Sequence, residues 1–228
     1  FLKKPNTEQR KIVELIRQFM LSYPQIGFSL SANSKGVFEM KSVYLIGDSI
    51  RRGYQNCVFD QLNNAAAIWA PEENGGDSRN IFRNLEKWVL CREPDILHLN
   101  CGLHDVKRAR PDTPMEVPLD EYENNLVQIF QLIQERTQTT LIWATTTPVI
   151  EKDHLTVKGF CRANTDIDAC NQVATSVCVK FGVPVNDLHR SITAAGPNTL
   201  LTEDGVHYSD EGSTVLGIKV TDFIRSFL

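Results

Sequence analysis

From residue 42 to its last residue the chain alternates short apolar runs with longer amphipathic stretches. Val43–Ile46, Ala66–Trp69, Ile96–Leu99, Leu141–Ala144 and Val183–Val185 are too short for helices, and this predicts five strands. Between and after them, Tyr54–Asn64, the set Ile81, Leu85, Trp88 and Val89, then Leu119–Arg136, Asn164–Phe181 and Gly212–Phe227 read as helices. Strands separated by helices of this length imply an α/β domain whose central parallel five-stranded sheet is covered on both faces. Ligands of such sheets bind beyond the carboxyl ends of the strands. The polar sequences after the first three strands should therefore meet at one edge, where the chemistry is to be sought.

The first 39 residues differ in character. They hold six cations and three carboxylates, a charge of +3, so an overall charge of -4 leaves -7 for residues 40–228. A start signal at Pro5-Asn6-Thr7 precedes an apolar stripe at Ile12, Leu15, Ile16, Phe19 and Met20, and Pro24 stops that helix. Ile26, Phe28 and Leu30 then alternate as a strand, Ala32–Gly36 turns, and Val37-Phe38 begins the return, a helix followed by a hairpin. Phe1-Leu2-Lys3, Pro5, Thr7-Glu8 and Pro24–Leu30 resemble a short stretch of the mismatch repair protein MutL. No ATP-binding motif accompanies them, so the likeness carries no repair activity. We read 1–39 as an appended or fused segment and 40–228 as the main domain. The apolar stripe must be covered by its own domain or by a second chain, which leaves an oligomer open.

Net charge argues against nucleic acid as a partner, because phosphate binding needs clustered cations. No apolar run approaches the roughly 20 residues that span a bilayer, and no membrane partner is expected. Phe1-Leu2-Lys3-Lys4-Pro5 lacks the apolar core of a secretory signal. The six cysteines include no CxxC pair and no zinc-like Cys/His spacing, so no metal or cofactor is expected. Only Cys161 and Cys170 are close enough in sequence to suggest a disulfide, and a helix between them would hold them apart. A cytoplasmic location is the expectation, although without an initiator Met export stays open.

Four segments carry candidate chemistry. Ile46-Gly47-Asp48-Ser49-Ile50 follows strand one, and a serine at a strand-to-helix turn combines an exposed hydroxyl with an outward N–H, which suits a nucleophile. Gly47-Asp48-Ser49 is also an ordinary helix cap. Asn74-Gly75-Gly76-Asp77-Ser78-Arg79 follows strand two. Its paired glycines permit close backbone approach and present an N–H, or they form a plain turn before a helix. Arg79 either lies on the exposed first turn or binds an acidic substrate group. Asn100-Cys101-Gly102-Leu103-His104-Asp105 follows strand three and places a His just past a strand end. In Asp204-Gly205-Val206-His207 an acid three residues before a His can fold back onto the imidazole. That fixes the tautomer which leaves the other nitrogen free as a base.

Taken in order, these segments resemble the blocks of the SGNH, or GDSL, hydrolases over residues 41–228. Asp48-Ser49 matches the nucleophile block, Gly76 the second, Gly102–Asp105 the third and Asp204–His207 the Asp-x-x-His block. The resemblance implies a three-layer α/β/α flavodoxin-like fold and a metal-free serine esterase. It assigns Ser49, Asp204 and His207 as the triad, with the N–H groups of Ser49 and Gly76 as oxyanion donors. The third block normally carries Asn where this chain has His104. A neutral imidazole can donate there only in the correct tautomer; otherwise Asn100 contributes instead, or the site is impaired. Asp48, Arg79 and Asn100 are the candidate substrate contacts, and Asp105 is expected to be structural.

The segment Thr145–Phe160, with Lys152, His154 and Lys158, is expected to overhang the site. Its polarity favours a small acyl group, acetyl first, on a small polar or glycan carrier. Trp69 and Trp143 are expected in the core rather than against sugar rings. A thioesterase or lysophospholipase of the same family, and a catalytically silent binding module, are the competing readings.

Overall fold

Five strands, β1 (Ser42–Ile46), β2 (Ala67–Trp69), β3 (Ile96–Leu99), β4 (Thr140–Ala144) and β5 (Val185–Asn186), form one parallel sheet in the order β2-β1-β3-β4-β5. The computed structural model describes residues 40–228, a unit running from Met40 to Leu228. The helix–hairpin expected over 1–39 lies outside the described residues. Every residue of β3 is buried, as are Leu141–Ala144 of β4. Successive strand residues face opposite sides, so unbroken burial requires cover on both faces. The cover comes from two sets of helices. α1 (Ser49–Leu62) packs along the C-terminal α8 (Asp210–Arg225). α2 (Ser78–Leu85), ending in a π-helical turn at Glu86–Leu90, packs on α3 (Leu119–Arg136), and α3 packs on α5 (Asn164–Phe181). Fully burying each Leu, Ile or Phe of the interlayer core contributes about 1.5–3 kcal/mol.

The register positions the site. Ile46 of β1 pairs with Leu99 of β3, and Asn100 donates its N–H to the Ile46 carbonyl at 3.0 Å. The two strands therefore end level, and the chain segments leaving them diverge from one point. The order reverses between β1 and β3, which makes this the switch point where parallel sheets bind ligands.

Some boundaries differ from the sequence reading. The first helix begins at Ser49 rather than near Tyr54, because Asp48 caps it. The last strand is Val185–Asn186, since its pairing is set by Trp143 and Ala144 rather than by its own apolar residues. Within the expected overhang lies α4 (Glu151–Lys158), and two short helices, α6 (Leu188–Ala195) and α7 (Pro197–Leu200), follow β5. Trp143 is wholly buried against Phe130, with ring centroids 5.7 Å apart. Trp69 is half-buried, with the Tyr44 ring tilted against it at 4.7 Å between centroids and the Arg92 guanidinium over its ring at 4.4 Å from the centroid. Cys161 and Cys170 are both free thiols. Among the described residues no helix is long and apolar enough to cross a membrane.

Candidate active site

Ser49 is the first residue of α1, immediately past the carboxyl end of β1. Asp48 precedes it in extended conformation, fully buried, and its Oδ1 accepts the Ile50 N–H at 2.8 Å. The capping and nucleophile readings are thus compatible: Asp48 satisfies the helix start and Ser49 is carried on its first turn. The Ser49 N–H belongs to the group of helix N–H donors with no intrahelical acceptor. Asp48 Oδ2 is buried without a partner among the described residues.

The loop before α8 supplies the opposing groups. It is closed by the Thr202 N–H on the His207 carbonyl at 2.8 Å and by the Ser209 N–H on the Leu200 carbonyl at 2.9 Å. Inside it Asp204 Oδ1 accepts from the N–H groups of Val206 (3.0 Å) and His207 (2.9 Å) and from Thr202 Oγ1 (2.9 Å). Asp204 Oδ2 lies 2.5 Å from His207 Nδ1 and 3.2 Å from Lys158 Nζ. Burial alone would raise the Asp204 pKa. The hydrogen bonds from the His207 ring, from the two loop N–H groups and from Thr202 outweigh it and hold the carboxyl well below the usual range. An ionised Asp204 keeps the proton on His207 Nδ1, which leaves Nε2 as an acceptor. That Nε2 is 2.9 Å from Ser49 Oγ, across 158 residues of sequence. Chemically, the arrangement can remove a hydroxyl proton and stabilise the imidazolium that results.

The other site residues are placed less uniformly. Gly75 donates its N–H to the Gly47 carbonyl at 2.9 Å, and a side chain there would meet that carbonyl oxygen at 2.6 Å, so the second loop lies directly on the nucleophile turn. Gly76 has φ +65°, and its N–H is taken by Asn74 Oδ1 at 2.8 Å in a short Asx-type turn. This corrects the expectation of an open N–H donor at Gly76. His104 is half-buried, and among the described residues neither ring nitrogen has a hydrogen-bond partner. Burial lowers its pKa; Arg162 and Lys107 act in the same direction, and Asp48 and Asp77 oppose them. The ring is therefore neutral near pH 7 and carries one N–H.

Asn100 does not offer its side chain to the site: Nδ2 donates to the Ala144 carbonyl at 2.8 Å and ties β3 to β4. Arg79 is likewise committed elsewhere. It forks onto Glu121 of α3 at 2.5 and 2.6 Å and reaches the Glu116 carbonyl at 3.1 Å, which corrects its assignment to an acidic substrate group. Asp105 is buried and accepts the Ser78 N–H at 2.8 Å, anchoring the start of α2 to the third loop. Sequence reasoning named Asn74 and Lys158 without their contacts to Gly76 and Asp204, and missed the buried Arg51, which donates to the Glu73 carbonyl at 2.9 Å and so holds the second loop. None of the three sits in a local pattern that marks such a role. No group of three or more His, Cys, Asp or Glu gathers as a metal site among the described residues.

A family model described as GDSL-like lipase/acylhydrolase matches residues 45–215, spanning all four segments. No curated protein matches the chain in sequence. Among solved structures, a lipase/acylhydrolase from Enterococcus faecalis is 24% identical with a TM-score of 0.69, covering 82% of this chain and 96% of its own. An acetylxylan esterase from Geobacillus stearothermophilus is 20% identical with a TM-score of 0.64, covering 82% and 94%. A GDSL-like lipase from Bacteroides thetaiotaomicron is 17% identical with a TM-score of 0.65, covering 93% and 98%. At these identities the likeness concerns the fold.

Proposed function

The chain belongs to the GDSL-like lipase/acylhydrolase family, and from that premise we propose that it is a serine esterase removing a small acyl group, acetyl first, from a polar carrier such as a glycan. The supporting observation is the line of groups from Ser49 Oγ to His207 Nε2 (2.9 Å) and from His207 Nδ1 to Asp204 Oδ2 (2.5 Å). In the proposed reaction His207 Nε2 takes the Ser49 proton as Oγ forms a bond to the ester carbonyl carbon. The carbonyl oxygen becomes an oxyanion, received by the Ser49 N–H and the His104 ring. Collapse breaks the bond to the alcohol oxygen, which leaves with the proton from His207, and an acyl-serine remains. Water then attacks that acyl carbon while His207 takes its proton, and return of the proton to Ser49 Oγ releases the acid. The Gly76 N–H joins the oxyanion donors only when Asn74 gives it up.

Charged groups beside the site support the carrier. α4 sets Lys152, Asp153 and Lys158, exposed or half-buried, beside the Asp204 loop, together with exposed Leu155 and Val157. The acetylxylan esterase among the similar folds agrees with a small acyl group on a saccharide. Turnover of p-nitrophenyl acetate and of acetylated saccharides, compared with acyl chains of increasing length, tests the choice of substrate. Ser49→Ala should abolish both turnover and labelling by a fluorophosphonate, and full activity in that variant would end the reading. One observation favours a silent binding module instead, namely that Gly76 is already engaged while His stands at the usual Asn position. A parent chain that neither turns over ester nor takes the label at Ser49 would establish that alternative.

A further inference from the structure

Arg162 is an unexpected group to find buried. It follows the strap formed by α4, is only 6% exposed, and has no carboxylate as a direct partner among the described residues. Removing a cation from water costs several kcal/mol, so a position without an ion pair asks for another explanation. Its donors go to two neutral acceptors. Nε donates to the Leu103 carbonyl, and Nη1 lies 2.8 Å from His154 Nε2. A guanidinium only donates, so His154 Nε2 carries no proton and Nδ1 does. That Nδ1 is 3.2 Å from the Asp204 carbonyl and donates to it. His154 is itself fully buried; desolvation, with Arg162 beside it, keeps the ring uncharged.

The result is one unbroken series of hydrogen bonds, Leu103 carbonyl, Arg162, His154, Asp204 carbonyl, whose ends lie on two different loops. Leu103 shares its peptide plane with the N–H of His104, so pinning that carbonyl sets the direction from which the His104 side chain leaves. Asp204 orients His207. Backbone contacts frame the same strap at both ends. Ile150 donates to the Gly205 carbonyl at 2.8 Å, while Cys161 and Arg108 exchange hydrogen bonds at 2.9 Å each.

We propose that Arg162 and His154 form a buried relay that holds the oxyanion-side loop at Leu103–His104 in register with the acid–base loop at Asp204–His207. The proposal rests on the esterase reading for its effect on rate but not for its geometry. Both are positioning residues, since neither touches the reacting atoms. The field of Asp48 and Asp204 offsets the Arg162 charge without contact, which leaves its donors free for the two loops.

The test uses the full chain with His154→Leu, His154→Gln and Arg162→Lys. Leu removes both ring functions while the backbone bonds of the strap remain, and Gln restores one acceptor and one donor. A loss of loop register costs rate rather than binding, so kcat for p-nitrophenyl acetate should fall about tenfold or more in His154→Leu, with KM within about twofold. His154→Gln should recover most of it, and Arg162→Lys, which keeps the charge but not the fork, should resemble Leu. Amide hydrogen exchange reads the coupling without activity. In His154→Leu the N–H of Val106, bonded to the Gly102 carbonyl at 2.9 Å, and that of His207, bonded to Asp204 Oδ1 at 2.9 Å, should both exchange faster. Parent kcat in His154→Leu, or faster exchange confined to His207 with Val106 unchanged, overturns the relay. A parent chain without turnover or Ser49 labelling removes the esterase reading alone. The exchange result then decides the relay, upheld if both amides respond and overturned if only one does.

Discussion

At the scale of single residues the unusual part of the proposed site is its oxyanion side. An Asn amide donates whatever its protonation surroundings, whereas an imidazole donates only through the nitrogen that holds the proton. His104 is kept neutral by burial and by the cations Arg162 and Lys107, and neither ring nitrogen is spent on a described protein group. It therefore has a donor to offer. His104→Ala should lower kcat by about 10²–10³, the usual cost of one oxyanion donor, with the fold unchanged, and His104→Asn should be far milder. Steady-state kinetics decide this, and parent turnover in His104→Ala would remove the residue from the mechanism. Asn74 provides an internal check. Because its Oδ1 occupies the Gly76 N–H at 2.8 Å, Asn74→Ala releases a second donor. His104→Ala should then cost less in the Asn74→Ala background than in the parent chain, a non-additivity that a double-mutant cycle measures directly.

Among the elements, the α1–α8 contact most directly fixes the distance between Ser49 and His207, because one residue begins α1 and the other stands just before α8. Its closeness depends on Gly217, where an added Cβ would lie 2.6 Å from both Cβ and Sγ of Cys57. Gly53, on α1, has only the Ser213 hydroxyl within 4 Å, at 3.3 Å, and that small side chain can rotate away. The same substitution should therefore have opposite signs at the two places. Gly217→Ala forces the helices apart and should cost about 1–3 kcal/mol. Gly53→Ala removes unfolded-chain freedom in a helix and should add about 0.5–1 kcal/mol. Urea unfolding of the two variants measures both, and equal signs would contradict the packing account.

What could be seen in the sequence follows from range. β3 and Leu141–Ala144 of β4 are buried on both faces and, His98 apart, are apolar throughout. Asp204 and His207 are three residues apart on one turn, and their pattern is local. By contrast, α4 has little apolar periodicity, and its seat depends on the Asp204–Gly205 turn some fifty residues away. Arg79 looked available because nothing nearby in sequence announces Glu121, 42 residues on. The Arg162–Leu103 bond spans 59 residues and is equally silent. Local chemistry was legible, and the groups that hold loops together across the fold were not.

Across the whole molecule, two buried groups pull the stability in opposite directions as pH changes. His98 lies in the middle of the sheet, Nε2 3.2 Å from Asn186 Nδ2 and Nδ1 unpartnered, and burial pushes its pKa down to about 3. Unfolded, it would bind a proton near pH 6.5, so between about 6.5 and 3 the unfolded chain holds the extra proton and stability rises with pH. Asp105 is the reverse case. Desolvation raises its pKa to about 6 against its hydrogen bonds to Ser78, so between about 4 and 6 the folded chain holds the extra proton and stability falls with rising pH. In that window the two contributions nearly cancel. Removing either should expose the other. Relative to the parent, Asp105→Asn should gain about 1.4 kcal/mol per pH unit from pH 4 to 6, and His98→Gln should lose about as much over the same range. Taking differences from the parent cancels groups common to both chains, Asp204 among them. Unfolding free energies measured in urea at pH 4.5, 5.0 and 5.5 give the slopes. Two differences of the same sign would mean that these groups are not the opposed pair their burial makes them.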